Sequence, residues 1–322
     1  MIRRKLSRRS ALTQTGLLVG AAVAASKLSS GPSSAQASPV QTAEKPFLFC
    51  LNTATIRGQK LGIAKEIEIA AQAGYDAIEP WVDSVQEFVK NGGVPGDLRK
   101  RISDSGLTVE GAIGFPEWIV DDDARRAKGM ERARREMELM AQIGAKRFAA
   151  PPAGATDLPK LDPGKAAERY LALLEAGDQA GLIPELELWG FSKNLNHLSE
   201  CVAVAMETGH PKACVLADVF HLYKGGSKLQ GIRLLGPTAI QVLHMNDFPG
   251  EPGREKIDDS FRIYPGTGTA PLKELLQLLH QTGGQKVLSL ELFNRTYWAQ
   301  AALEVARTGL EKMKAVAQAA LA

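Results

Sequence analysis

The chain has 322 residues, 44% of them hydrophobic and 23% charged, with a formal net charge of +3. That composition excludes a disordered or fibrous chain, and the length suits one large α/β barrel of about 250 residues or two smaller domains. The positive sign comes from residues 1–37, which hold six basic residues and no acid. The remainder has 33 basic and 36 acidic residues, a net of −3, which gives no electrostatic reason to expect nucleic acid as a partner.

The first 37 residues read as a targeting segment. A basic start containing Arg8-Arg9 precedes a mildly apolar stretch from Leu17 to Ala25, and a Ser/Pro/Gly-rich run ends in Ala35-Gln36-Ala37, a small-residue cleavage pattern. This arrangement resembles a twin-arginine signal, which implies export of a folded protein to the periplasm. The apolar stretch is too short for a lasting membrane span, so a soluble mature protein without stable membrane insertion is expected. Residues 38–46 read as a linker and residues 47–318 as one domain.

From Phe47 onward, short apolar runs alternate with longer helical patterns. The runs predict strands over 47–52, 76–79, 108–113, 147–150, 182–187, 213–217, 239–244 and 286–291. Amphipathic patterns predict helices over 61–73, 131–143, 166–180 and 272–281. The first three end at Gly74, Gly144 and Gly181, and Gly283 and Gly284 follow the fourth. Eight strand–helix units of this kind predict a (βα)₈ TIM barrel in a single domain. An open, doubly wound sheet is the alternative, and it lacks support because no GxGxxG follows the first strand. Gly266-Thr267-Gly268 reads instead as a turn after Pro265. The stretch 247–264 is long and charged enough to be a lid or binding loop. The helix spanning 121–140 has Arg125, Arg126, Arg132, Arg134 and Arg135 set among acids, and reads as a salt-bridged outer face. Cys50, Cys201 and Cys214 are an odd count without CxxC spacing. They read as buried thiols rather than a zinc site or a disulfide framework, although Cys201 and Cys214 could pair in an oxidising compartment.

The C-terminal ends of parallel barrel strands converge on one region, where active sites form. Four consecutive predicted strands close on a metal-competent side chain: Glu187, Asp218, His244 and Glu291. A single acid in such a place usually caps the next helix. Three carboxylates brought together repel one another unless a cation compensates them. Three carboxylates and one imidazole suit Mn²⁺, with Mg²⁺ or Co²⁺ as alternatives, better than a structural zinc. Glu185 points to the same face as Glu187 by strand alternation, but sits farther from the mouth.

The chain resembles the xylose isomerase-like TIM barrel superfamily, especially its sugar phosphate isomerase/epimerase branch. The resemblance covers roughly residues 47–318. It rests on Leu186-Glu187-Leu188-Trp189, Asp218-Val219-Phe220-His221, His244-Met245-Asn246-Asp247, the segment from Arg262 to Gly268, and Leu290-Glu291. The resemblance implies that Glu187, Asp218, His244 and Glu291 are metal ligands. Glu187 and Glu291 would double as an acid/base pair, His221 would touch substrate, and Arg262 rather than Arg254 would hold substrate oxygens or developing negative charge. Glu79 would face the same cavity. Trp81, Trp118 and Trp189, each a few residues beyond a predicted strand, are candidates to stack on a sugar ring, as is Trp298.

The expected reaction is carbohydrate isomerisation or epimerisation through a metal-stabilised enediolate, with proton transfer by the two glutamates. A metal-dependent lyase, dehydratase or hydrolase acting on keto-sugars or inositol derivatives is the alternative. A DNA-cleaving relative and a non-catalytic sugar-binding protein fit less well. The first conflicts with the acidic body and the export signal, and the second leaves three converging acids unexplained. The expected partner is a small-molecule carbohydrate, neutral or oxidised rather than phosphorylated given export, and a homo-oligomer is compatible with the sequence.

Overall fold

A computed structural model describes residues 45–322; the expected signal segment and the linker as far as residue 44 lie outside the described residues. The strands are β1 (Phe47–Asn52), β2 (Ala77–Glu79), β3 (Thr108–Val109), β4 (Arg147–Ala150), β5 (Ile183–Glu187), β6 (Val215–Asp218), β7 (Val242–Met245) and β8 (Lys286–Leu290). They form a parallel sheet in the order β3-β2-β1-β8-β7-β6-β5-β4. A parallel bridge between Val109 and Ala145 joins its two edges, so the sheet closes as a barrel. All eight strands fall where the apolar runs place them, with ends shifted by a few residues.

Strand β3 departs most from expectation. Its ladder to β2 stops at Val109 and resumes only at the Trp81–Ile113 bridge. Gly111 lies in the gap, where any Cβ would come within 2.2 Å of Glu79 Oε1. The interruption leaves room for the Glu79 side chain.

The helices are α1 (Ile63–Ala73), α2 (Val82–Lys90), α3 (Pro95–Asp104), α4 (Asp123–Gln142), α5 (Pro163–Ala180), α6 (Leu198–Glu207), α7 (Val219–Lys224), α8 (Leu272–Gln281), α9 (Arg295–Trp298) and α10 (Ala302–Leu321). Asp122 and Asp162 cap α4 and α5 by accepting from the backbone N–H groups of Arg125 and Lys165. The arginines of α4 pair with acids as expected: Arg132 with Glu136 at 2.6 Å, Arg125 with Glu117 at 2.6 Å, and Arg135 with Glu131. Cys50, Cys201 and Cys214 are buried free thiols.

Strand alternation sorts the side chains into two cores. Outward residues such as Leu51, Ile78, Leu186, Ala217, Leu243 and Leu290 pack under the helices in the larger core. Inward residues Cys50, Ala77, Ala149, Leu216, Val242 and Val287 plug the barrel. Burying each large aliphatic side chain contributes roughly 1.5–3 kcal/mol. The next inward position along β1, β2, β5, β6 and β7 holds Asn52, Glu79, Glu187, Asp218 and His244. The two-residue period that builds the apolar plug therefore also builds a polar layer directly above it.

Candidate active site and metal centre

Register aligns this layer. Asn52 pairs with Glu79 across β1–β2, Asp218 with His244 across β6–β7, and His244 with Ser289 across β7–β8. Glu291 follows directly after β8. Asp218, His244 and Glu291 each offer a ligand atom within 4.8 Å of the others, and all three are buried. Glu187 lies just outside that set, its Oε1 3.9 Å from His244 Nδ1. Asp218 has two roles. Its Oδ1 accepts from the His221 backbone N–H at 2.8 Å, capping α7, while Oδ2 faces the cluster.

His244 sits at the centre. Nδ1 is 3.1 Å from Glu291 Oε2 and 3.8 Å from Asp218 Oδ2, and Nε2 is 3.1 Å from Glu79 Oε2. Both ring nitrogens are buried, yet neither makes a hydrogen bond of acceptable geometry. Burial would push this imidazole's pKa down, but Glu291 and Glu79 outweigh it and raise it well above the ordinary value. The site thus favours positive charge at His244, supplied by a proton or by a metal beside Nδ1. Burial also pushes the Glu187 carboxyl well above its usual range, reinforced by Glu291 and Asp218. Glu291 feels the same burial, but His244 and Arg262 outweigh it and hold its carboxyl low. An orphaned imidazole nitrogen aimed at two carboxylates, with a third close by, fits a divalent cation held by Asp218, His244 and Glu291, with Glu187 beside them.

Glu79 is not among the residues that line the cavity beside this cluster. It lies beneath His244, accepting from Asn52 Nδ2 at 2.9 Å and Ser289 Oγ at 2.6 Å. Asn52 Nδ2 also donates to Glu291 Oε1 at 3.0 Å. The position expected to face substrate instead braces two members of the cluster, because β2 ends one residue before Pro80 and its last side chain stays inside the barrel.

Arg262 is buried and fully engaged. Its Nε donates to Asp259, one terminal nitrogen donates to Asp218 (2.6 Å) and Glu291 (2.9 Å), and the other reaches Asp259 (2.6 Å) and His221 Nε2 (3.2 Å). A guanidinium only donates, so His221 Nε2 is the accepting nitrogen, and in the neutral ring Nδ1 carries the proton. Burial keeps His221 below its ordinary pKa, and Arg262 adds to this against the pull of Asp218. Nδ1 is buried without a hydrogen-bond partner. Arg254 is not among the cavity residues.

The cavity of about 380 Å³ is lined by Glu187, His221, Asp259, Ser260, Arg262, Glu291 and Arg295, together with Trp81, Ile113, Phe115, Trp189, Phe191, Phe293 and Trp298. Trp81 and Trp189 stand where stacking was expected, with Phe115 between them at ring distances of 5.1 and 5.9 Å. The placement of Trp118 corrects the expectation for it. It is fully buried, donates to the Pro151 carbonyl at 2.8 Å and packs on Tyr170, because the chain after β3 turns its ring into the outer core. The segment 247–264 does reach the cavity, through Asp259, Ser260 and Arg262.

Several participants went unsignalled in the sequence. Asn52 ends β1 as Glu79 ends β2, and the strand-end rule applied to an amide would have found it. Asn246, two residues past His244 on the same face, donates to Asp218 at 3.2 Å. Asp259, Phe191 and Arg295 come from loops or a short helix and had no periodic signal.

Comparison with known proteins agrees with the fold. Inosose isomerase of Bacillus licheniformis is 25% identical over 270 residues, covering 82% of this chain and 95% of that protein. 3-Dehydroshikimate dehydratase of Pseudomonas putida is 23% identical over 269 residues, covering 78% of this chain but 39% of the dehydratase. The crystal structure of the IOLI protein with a zinc atom superposes with a TM-score of 0.78 at 21% identity, covering 84% of this chain and 98% of that one. The family described as xylose isomerase-like TIM barrel matches residues 67–316, and this chain belongs to it.

Proposed function

We propose that this chain is a divalent-metal-dependent isomerase or epimerase acting on a small polyhydroxylated carbonyl compound. The observation that carries the reading is a pair of carboxylates, Glu187 and Glu291, that line one cavity beside the Asp218–His244–Glu291 cluster. Glu187, from the end of β5, is raised by burial, and Glu291, beyond β8, is held low by His244 and Arg262. Such a split suits one proton donor and one acceptor.

Asp218, His244, Glu291 and the adjoining Glu187 would hold the cation; Mn²⁺ suits this oxygen-rich set, and a zinc atom is bound in the similar IOLI protein. When bound, the cation would stabilise negative charge developing on substrate oxygens. The Glu291 carboxylate takes a proton from the carbon beside the substrate carbonyl, and Glu187 returns one. His221 Nδ1 donates to a substrate oxygen, while Arg262 keeps Asp218 and Glu291 in place. Aromatic rings around the mouth exclude water and bind the apolar face of a ring. The isomerase relative supports this reading, and the dehydratase relative supports a second: after the same proton removal, loss of a neighbouring hydroxyl gives dehydration.

The test is metal content and deuterium incorporation from D₂O into a ketose and an inosose, using residues 38–322 and the Glu291→Gln variant. Stoichiometric divalent metal with exchange lost in the variant supports proton transfer, and product identity separates isomerisation from dehydration. Absence of metal in the wild type, with no thermal shift on adding Mn²⁺ or Zn²⁺, overturns the reading. Export to the periplasm is part of the proposal, supported by the Arg8-Arg9 pair and the Ala35-Gln36-Ala37 pattern. Cell fractionation after Arg8-Arg9→Lys-Lys substitution tests it.

A further inference from the structure

The cavity contains two arginines, and only one is committed. Arg262 has five N–H groups and five hydrogen-bond contacts, with Asp218, Glu291, Asp259 (twice) and His221, so it has no donor left for a substrate anion. Arg295 lines the same cavity from the first position of α9, four residues after Glu291. It is exposed, and its side chain has no hydrogen bond or ion pair with any described residue. The exposed carboxylate of Asp258 is near enough to feel its charge. Asn294, the cap of α9, also donates to the Arg262 carbonyl at 3.1 Å, so Arg295 is tied to the segment that carries Arg262. The flat rings of Trp81, Trp189 and Phe293 line the same cavity.

The floor has its own demand. Glu187, Asp218, Glu291 and the underlying Glu79 face Arg262 and His244, so the positive charges of the floor, a divalent cation included, are taken up by its own carboxylates. An anionic substrate entering such a cavity needs a positive group away from the floor, and a guanidinium suits carboxylate and phosphate oxygens by its paired donors. We infer that the substrate is a ring-shaped polyol carrying one anionic oxygen group, carboxylate or phosphate, which Arg295 holds at the mouth while the carbonyl end reaches Glu187 and Glu291. This rests on the reading that the cavity is the substrate site, but it concerns binding and needs no turnover.

The experiment measures binding to the metal-loaded protein by quenching of tryptophan fluorescence, since Trp81, Trp189 and Trp298 line the cavity. The probes are quinate (cyclic, carboxylate), myo-inositol (cyclic, neutral) and myo-inositol 1-phosphate, with wild type, Arg295→Gln and Arg295→Lys. We expect at least one anionic probe to bind wild type about tenfold or more tighter than myo-inositol, equivalent to about 1.4 kcal/mol. The ratio should collapse to near one in Arg295→Gln and survive in part in Arg295→Lys. Preference for quinate alone identifies a carboxylate, and preference for the phosphate alone identifies a phosphate. Equal affinities in wild type, no binding of either anion at its solubility limit, or a preference unchanged in Arg295→Gln overturns the inference. Anion selectivity without deuterium exchange would sink the proposed reaction and leave this assignment standing.

Discussion

Glu79, Glu187, Asp218 and Glu291 share the mouth of the barrel with the Arg262 guanidinium and the imidazoles of His221 and His244. The role of Glu79 is the most readily isolated. Its Oε2 lies 3.1 Å from His244 Nε2, and through Asn52 it is linked to Glu291. Carboxylates behind a metal-binding imidazole typically contribute 10–100-fold to metal affinity. Glu79→Gln should therefore weaken Zn²⁺ or Mn²⁺ binding by about 10–100-fold in calorimetry while the chain stays folded; unchanged affinity would restore Glu79 to a substrate role. His221→Phe keeps the ring's shape and removes the Nδ1 donor. It should lower kcat/KM by about tenfold or more with metal content unchanged, as loss of one hydrogen bond to a developing charge predicts.

Among the elements, the segment after β7 depends on one side chain. Asp247 accepts from four backbone N–H groups, those of Phe248, Gly266, Gly268 and Ala270, at 2.8–3.0 Å. A Cβ on Gly268 would lie 2.2 Å from the Phe248 carbonyl and 2.4 Å from Asp247 Oδ1. This clasp secures the Arg262 segment by pairing Asp247 with Ile263. Asp247→Ala leaves those donors without their acceptor and should cost about 3 kcal/mol in thermal unfolding, with activity reduced along with it. Helix α1 holds a different kind of stress. Burial raises the Glu66 carboxyl from its ordinary 4.5 to about 7, and Arg57 offsets only part of this. With the folded-state value raised, the folded chain binds the proton more tightly than the unfolded chain. The stability contributed is complete below about pH 4.5 and is lost as pH rises through about 7, a change of at most about 3 kcal/mol. Glu66→Gln should flatten the fall in denaturant midpoint between pH 5 and 8; parallel curves for both proteins would show that Glu66 is not its source.

For the whole molecule, the cluster at the barrel mouth couples folding to the cation. Removal of metal leaves buried acids that Arg262 and a protonated His244 only partly offset. Saturating Zn²⁺ or Mn²⁺ at about 100-fold over Kd contributes about 2.7 kcal/mol, or roughly 5–10 °C in Tm for a domain of this size. Chelation should reverse that shift, and no change in Tm on either treatment would argue against a metal at Asp218, His244 and Glu291.

Eight strands, the helices that end at Gly74, Gly144 and Gly181, and the inward row of Glu187, Asp218, His244 and Glu291 were all legible in the sequence. Each is a consequence of short-range periodicity: two residues per repeat in a strand, 3.6 in a helix, and glycine where a helix must reverse. The same periodicity, applied to polar residues of every kind, would have added Asn52. Periodicity has no information on which inward groups meet across the barrel, because that depends on register and closure between strands far apart in the chain. Folding alone placed Glu79 behind His244, spent all five donors of Arg262 on the chain's own groups, turned Trp118 into the outer core, and brought the uncommitted Arg295 to the cavity mouth.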